Sequence, residues 1–170
     1  VKKTFELINQ MQADGVIGKY AIGGAVGATF YLEPSATLDV DIFVTLGAEP
    51  GSLLVSLAPI YDYLKSRGCK VAAEHIIVGD WPVQFLAAGD ALDLEALEEA
   101  VATQVEGERT HVMSAEHLAT IALRTGRPKD FARLLQFLEP GILDIDKLKT
   151  ILSRHGLTPK WEQFEQRYLR

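Results

Sequence analysis

Apolar residues recur along this chain with two different periods, one suited to helices and one to strands. Phe5, Leu7, Ile8 and Met11 have spacings that predict an amphipathic helix over 4–13, stopped by Asp14-Gly15. A short strand around Tyr20 to Ile22 leads into Gly23-Gly24, and 25–32 reads as a helix behind that turn. Glu33-Pro34-Ser35 ends it, because proline disfavours helix in the residue before it. Residues 38–46 form the strongest predicted strand. There Leu38, Val40, Ile42 and Val44 share one face and Asp39, Asp41 and Phe43 the other, since side chains alternate along a strand. The first set is assigned to the core. Ser52 is expected to cap a helix over 53–67 with Leu54, Leu57, Ile60, Tyr61 and Leu64 as its apolar stripe, closed by Gly68. Two strands follow, over 70–78 and 82–86, joined by a hairpin turn at Gly79-Asp80. Residues 94–101 read as helix and 109–113 as a last edge strand.

From Ser114 onward the period is helical throughout. Ser114 is the predicted N-cap of a helix running to Arg124, with Leu118, Ile121 and Ala122 inward; Gly126 ends it, and Pro128 suits the first turn of the next. That second helix carries Phe131, Leu134, Leu135 and Leu138. A third is expected over 144–155, and Thr158-Pro159 opens a fourth holding Trp161, Phe164 and Tyr168. Strands first and helices afterwards predict an α+β fold, with 1–113 as a mixed-sheet core and 114–170 as a helical segment packed on it.

Composition narrows the function classes. At 170 residues, nearly half of them apolar, the chain suits one well-cored domain or a core with a short helical appendage. Its single cysteine, Cys69, excludes an internal disulfide. The opening VKKTFELINQMQADG alternates apolar and polar residues instead of presenting a continuous apolar run, so no signal peptide is expected and the cytoplasm is the expected location. No window approaches the roughly 20 apolar residues of a membrane span. A formal charge of −6 argues against bulk DNA or RNA coating, which needs clustered cations to displace counterions. One local basic group stands out: Arg124, Arg127, Lys129 and Arg133, interrupted by Asp130.

Two carboxylates one residue apart on a strand point the same way, close enough to share a divalent cation. Like charges this close repel, so the face carrying Asp39 and Asp41 is either wet or compensated by a cation or a basic group. A solvated strand face is the plain alternative. The upstream element favours chemistry, because Gly23-Gly24 between a strand and a helix lets backbone approach a phosphate closely and aims free N–H groups at an anion. A metal site facing a phosphate site points to phosphoryl transfer. Gly23-Gly24-Ala25-Val26-Gly27-Ala28 lacks the first glycine of a dinucleotide fingerprint, and the G-K-[ST] of a P-loop is absent. His75, His111, His117 and His155 show no zinc-site spacing and Cys69 has no thiol partner, so all five read as structural or surface residues. Trp81 and Trp161 read as packing anchors.

The stretch AIGGAVGATFYLEPSATLDVDIFV resembles the signature of the nucleotidyltransferase superfamily, in which a hydrophobic residue and Gly-Gly or Gly-Ser precede a helix and then two acids separated by one hydrophobic residue. The later VMSAEHLATIALRTGRPKDFARLLQFL is similar to the helical half of AbiEii-type (abortive-infection) and related small members. The resemblance spans most of the chain. It implies a mixed sheet flanked by helices, and Mg²⁺-dependent transfer of a nucleoside monophosphate from a nucleoside triphosphate to a hydroxyl of a protein or RNA acceptor. It implies Asp39 and Asp41 as metal ligands and Gly23 and Gly24 as the border of the triphosphate.

Two departures from the family pattern matter. The third carboxylate expected from a neighbouring strand is replaced by Gln84, which cannot act as a base and offers a metal only a carbonyl oxygen. Glu74, Asp80 and Asp90 are the acids that could stand in for it. The basic residue that often precedes the acidic strand is also missing, with Ser35-Ala36-Thr37 there instead. Arg127 and Lys129 are expected to face the cleft and hold the triphosphate or an acceptor's phosphate; the competing role for the basic group is to complement a helix C-terminus. The sequence therefore leaves two functions open, an active nucleotidyltransferase and a catalytically impaired binding or regulatory module of the same fold, the latter suiting a toxin–antitoxin pair.

Overall fold

Alternation of apolar and polar side chains along the strands puts helices on both faces of one sheet. The computed structural model of the chain describes residues 1–34, 39–46 and 56–170. In chain order the elements are α1 (Lys2–Ala13), β1 (Tyr20–Gly23), α2 (Gly24–Ala28), β2 (Val40–Val44), α3 (Ala58–Ser66), β3 (Lys70–Ala72), β4 (His75–Val78) and β5 (Trp81–Ala87). They continue as α4 (Ala91–Glu98), β6 (Val101–Val105), β7 (Glu108–Val112), α5 (Ala115–Thr125), α6 (Pro128–Phe137), α7 (Ile145–Arg154) and α8 (Thr158–Tyr168). The seven strands lie in the order β3-β4-β5-β2-β1-β7-β6. The sheet is mixed: β2 runs parallel to β5 and antiparallel to β1, and β1 runs parallel to β7. This is the α+β architecture expected.

Val40, Ile42 and Val44 are fully buried on one face, in a core with Phe5, Ile8 and Met11 of α1 and Ile60 and Leu64 of α3. Burying each such side chain is worth roughly 1.5–3 kcal/mol, so the register of β2 is strongly fixed. A one-residue slip would drive Asp41 into that core. The opposite face carries Asp41 and Phe43. It is covered by α4 to α8, whose Leu97, Leu118, Leu123, Leu134, Phe137, Leu148 and Leu152 form a second core with Met113.

Several elements differ from expectation for local reasons. Residues 70–78 are two strands, because Ala73 adopts a left-handed φ of 56° and turns the chain back. Helix α4 begins at Ala91, where Asp90 Oδ1 accepts a 2.8 Å hydrogen bond from the Asp93 amide, and it ends before Val101. Residues 101–105 then form β6, which pairs with β7 and makes β7 an interior strand. Helix α2 is a turn shorter than read. The caps at Ser114, Gly126 and Pro128 stand where the sequence puts them, with Gly126 at φ 70°. Leu38, Ser35-Ala36-Thr37, Ser52 and Leu54 lie outside the described residues; the helix expected over 53–67 starts at Ala58, with Leu57 as its N-cap and Pro59 in its first turn. Among those described, no helix is long and apolar enough to cross a membrane.

Candidate nucleotide and metal site

Strand β1 delivers Gly23 opposite Asp41, and the chain turns into α2 at Gly24. Gly24 has φ +57°, a left-handed conformation that costs other residues strain. A Cβ there would also collide with the Asp41 carboxylate, and one on Gly23 would come within 2.6 Å of the Phe43 ring. The two glycines are thus what allows the acidic strand to lie against the turn. Helix α2 has only five residues, so its dipole is short, and an anion at this turn would depend on open backbone and on nearby cations.

Those cations come from the start of α6. A cleft of about 270 Å³ brings Gly24, Asp39, Asp41, Arg127, Lys129 and Arg133 together with Glu74, His75 and Gln84. Of the residues singled out in the sequence, Gly23 lies beneath this cleft as its buried support, and the other five line it. Arg124 does not line this cleft but an adjoining cavity of about 320 Å³ that also reaches Gly24, Asp41, Arg127 and Arg133, and there its guanidinium holds Asp90 at 2.6 Å and Asp93 at 3.0 Å, tying α5 to α4. Asp90 is therefore engaged as a cap and ion-pair partner, and Asp80 sits at the β4–β5 turn. Of the three acids considered as substitutes for a third carboxylate, Glu74 is the one in the cleft.

Asp130 organises the basic wall. It is 2% exposed, and its carboxylate accepts from Arg127 Nε at 2.7 Å and lies 3.6 Å from Arg133. It also caps the helix, accepting from the Arg127 amide at 3.2 Å. Burial works against its ionisation, yet the hydrogen bonds from Arg127 and the charges of Arg127 and Arg133 hold its carboxyl below the usual range. The same Asp130 contact raises the proton affinity of Arg127, while burial lowers that of Arg133. Both stay charged at any relevant pH.

The acidic wall is under opposite strain. Burial first, and then the neighbouring Asp39, push the Asp41 carboxyl above its usual pKa; Arg133, His75 and Arg127 oppose the rise. Asp39 is more exposed, and its Oδ2 lies 3.2 Å from His75 Nε2. In the β2–β5 register Gln84 stands beside Asp41, and the β4–β5 register run one residue further sets His75 beside Gln84. His75, Gln84, Asp41 and Gly23 thus form one row across the sheet. A partly buried carboxylate with raised proton affinity, next to a second carboxylate, is a donor set that one divalent cation would relieve. With an amide in the third position, the set suits one cation better than two.

No protein-family model matches this sequence, and no curated protein matches it. Solved structures do. The chain is similar to the solution structure of the antibiotic-resistance factor ANT(2'')-Ia, with 14% identity, a TM-score of 0.50 and coverage of 97% of this chain and 95% of that one. It is similar to the crystal structure of ANT(2'')-Ia in complex with adenylyl-2''-tobramycin, with 15% identity, a TM-score of 0.52 and coverage of 98% and 95%. A crystal structure of an antigenic nucleotidyltransferase-like protein from Paracoccidioides brasiliensis matches with 15% identity, a TM-score of 0.52 and coverage of 97% and 91%. The fold is a nucleotidyltransferase fold. At these identities the likeness establishes the architecture and its near full-length extent, and nothing finer.

Within the nucleotidyltransferase fold, two cleft residues were not assigned to the site from sequence. Arg133 was visible only as part of a basic group, and its helical offset from Asp130 is the signal that could have found it, since i and i+3 share a helix face. His75 was read as structural or surface. Its place beside Asp39 follows from the turn at Ala73-Glu74, which the sequence pattern does not announce.

Proposed function

We propose that this chain transfers a nucleoside monophosphate from a nucleoside triphosphate to a hydroxyl acceptor. The observation that carries the reading is the Asp41 carboxylate packed against the left-handed Gly24 in a cleft whose other wall is Arg127, Lys129 and Arg133. Asp39 and Asp41 would hold Mg²⁺. The open backbone at Gly24 would border the triphosphate, and the three cations would take its negative charge. The acceptor hydroxyl releases its proton to solvent as its oxygen attacks the α-phosphorus, the bond to the β-phosphate breaks, and pyrophosphate leaves. Bound Mg²⁺ supplies charge neutralisation on the phosphate oxygens and favours the attacking oxygen's deprotonated form. The chain's own residues bind and orient: positioning and fixed charge are most of what a protein contributes to this chemistry.

We take the acceptor to be a hydroxyl of protein or RNA. A small-molecule hydroxyl is the competing acceptor, since ANT(2'')-Ia is seen with adenylyl-2''-tobramycin. Incubating the chain with α-³²P-labelled triphosphates, Mg²⁺ and a lysate, and fractionating the product, tests all three. Label transfer that Asp39→Asn and Asp41→Asn abolish without unfolding supports the reading; transfer that survives both changes defeats the assigned mechanism.

Gln84 favours a second reading, a binding or regulatory module of the same fold, suited to a toxin–antitoxin pair. It stands in register beside Asp41, where it brings no charge to a second cation. A thermal-shift series with the four triphosphates, with and without Mg²⁺, discriminates, because a ligand that binds only the native state raises its stability. Metal-dependent stabilisation together with transfer supports the enzyme, and stabilisation without transfer supports the module.

A further inference from the structure

A second constellation of metal-ligating side chains lies away from the nucleotide cleft, where α4 meets the helical segment. Glu95 of α4, Glu99 at its C-terminal end and His117 of α5 present ligand atoms that all lie within 4.8 Å of one another. His155, at the C-terminal end of α7, stands beside this group: its Nε2 lies 3.2 Å from Glu95 Oε2 but is not within 4.8 Å of the ligand atoms of all three. None of the four lines the cleft that holds Asp39 and Asp41.

Their separations have the scale of a coordination shell. His117 Nε2 is 2.8 Å from Glu95 Oε2 and 3.7 Å from Glu99 Oε2. Ligands bound tetrahedrally at about 2.0–2.1 Å stand about 3.3 Å apart, the scale of the His117–Glu95, His117–Glu99 and His155–Glu95 separations, and a turn of the His155 side chain is what would complete the shell. The outer contacts also fit. Ser114 Oγ lies 2.7 Å from His117 Nδ1 and can accept its proton, so that Nε2, which meets Glu95 Oε2 at 2.8 Å, can exchange that hydrogen bond for a metal ion. Arg154 occupies the other Glu95 oxygen, Oε1, at 2.5 Å, which leaves Oε2 facing the two imidazoles.

A purely hydrogen-bonded strut accounts for this arrangement less well. His117 is fully buried, and the His155 side chain is 11% exposed. His155 Nε2 has Glu95 Oε2 at 3.2 Å as its polar neighbour, a contact too poorly directed to count as a full hydrogen bond. Such an atom is costly to leave unsatisfied. Glu99, with its side chain 47% exposed, gives an ion a route in from solvent.

We propose that His117, His155, Glu95 and Glu99 form a structural site for one Zn²⁺-class transition-metal ion. Two imidazoles with two carboxylates suit Zn²⁺, whereas Mg²⁺ and Ca²⁺ take all-oxygen sets. With His155 turned onto the ion, the four protein ligands close the shell, so the ion fastens α7 and α5 to α4 and takes no part in the transfer reaction.

The test is calorimetric titration of EDTA-stripped, dialysed chain with Zn²⁺ in excess Mg²⁺, paired with the visible spectrum of the Co²⁺-loaded chain. One equivalent of saturable binding is expected, with the strong visible bands of four-coordinate Co²⁺ and a melting temperature that rises with Zn²⁺. Glu99→Gln, at an exposed position that leaves the fold intact, and His155→Gln should each weaken binding roughly 10- to 100-fold or more. Asp41→Asn should leave it unchanged, which separates this site from the nucleotide cleft. Absence of saturable binding, or binding that persists undiminished in both Glu99→Gln and His155→Gln, overturns the proposal and leaves the cluster as an ion-pair strut.

Discussion

A side chain at Gly24 would occupy the space that the Asp41 carboxylate fills. Two penalties coincide there, a left-handed backbone at φ +57° and a collision with a charged group. Gly24→Ala is expected to lower stability by about 1–3 kcal/mol and to remove triphosphate binding, because relief of the clash must move Asp41. Gly15 is the matched control: its φ is +78°, and an added Cβ meets nothing within 4 Å. Urea midpoints should show Gly15→Ala bearing backbone strain alone, with nucleotide affinity unchanged. Equal effects of the two substitutions on nucleotide affinity would refute the coupling between Gly24 and Asp41.

Asp41→Asn should abolish transfer while stabilising the metal-free fold at neutral pH. Burial and Asp39 raise the Asp41 pKa in the folded state, so folding disfavours its charged form. The sign follows from linkage. Below the unfolded carboxylate pKa of about 3.9 the group is protonated in both states and carries no penalty; the penalty grows as pH rises through the higher folded value and then stays constant. The melting temperature of Asp41→Asn relative to wild type, in EDTA, should therefore increase from acid to neutral pH. Each 1 kcal/mol gained corresponds to roughly 2–4 °C for a chain of this size. A variant that melts below wild type at pH 7 would contradict the assigned burial.

Much of this architecture is legible in the sequence because it is written in short-range patterns. Period-two alternation in Val40-Asp41-Ile42-Phe43-Val44 decides which face is acidic, and the caps at Ser114, Gly126 and Pro128 are local chemistry. Strand β6 escaped because α4 passes into it through Glu99 and Ala100 without a glycine or proline, and because the turn after it, Glu106-Gly107, places a non-glycine residue at φ 51°. The pairing of His75 with Asp39 depends on the similarly unannounced turn at Ala73. The convergence of Glu95, His117 and His155 joins positions far apart in the chain, and no period encodes that. What sequence missed at the cleft is of the same kind: Arg133 reaches it through the packing of α6 on α5, which no local pattern encodes.

Lys129→Glu should weaken triphosphate binding at least tenfold while leaving stability within about 0.5 kcal/mol, since Lys129 is exposed and reversing its charge disturbs no buried contact. Reversing Arg127 as well should weaken binding further, but there stability falls too, because Arg127 holds the buried Asp130. Asp130→Asn separates the two contributions. It is expected to cost about 1–3 kcal/mol by weakening the hold on Arg127 and Arg133 in the cleft wall, and to lower nucleotide affinity with Lys129 untouched. Calorimetry on the three variants, alongside urea melts, reads both quantities. If Lys129→Glu leaves affinity at the wild-type value, the basic wall is a helix-stabilising feature and not a phosphate site.

Gln84→Glu would set a third carboxylate in register beside Asp41, turning an amide that can lend only a carbonyl oxygen into a charged ligand. In the metal-free chain the added negative charge should repel Asp41, which burial and Asp39 already push toward protonation, so the variant is expected to melt lower than wild type in EDTA. With a divalent cation the order should reverse, because three converging carboxylates bind it more tightly than two, and the gain in melting temperature on adding Mg²⁺ or Mn²⁺ should exceed that of wild type. Side-by-side melts in EDTA, Mg²⁺ and Mn²⁺ give the comparison directly. A variant that is destabilised equally in all three conditions would mean that residue 84 does not face a cation at all, and the reading of Gln84 as the residue limiting this site to one metal would fall with it.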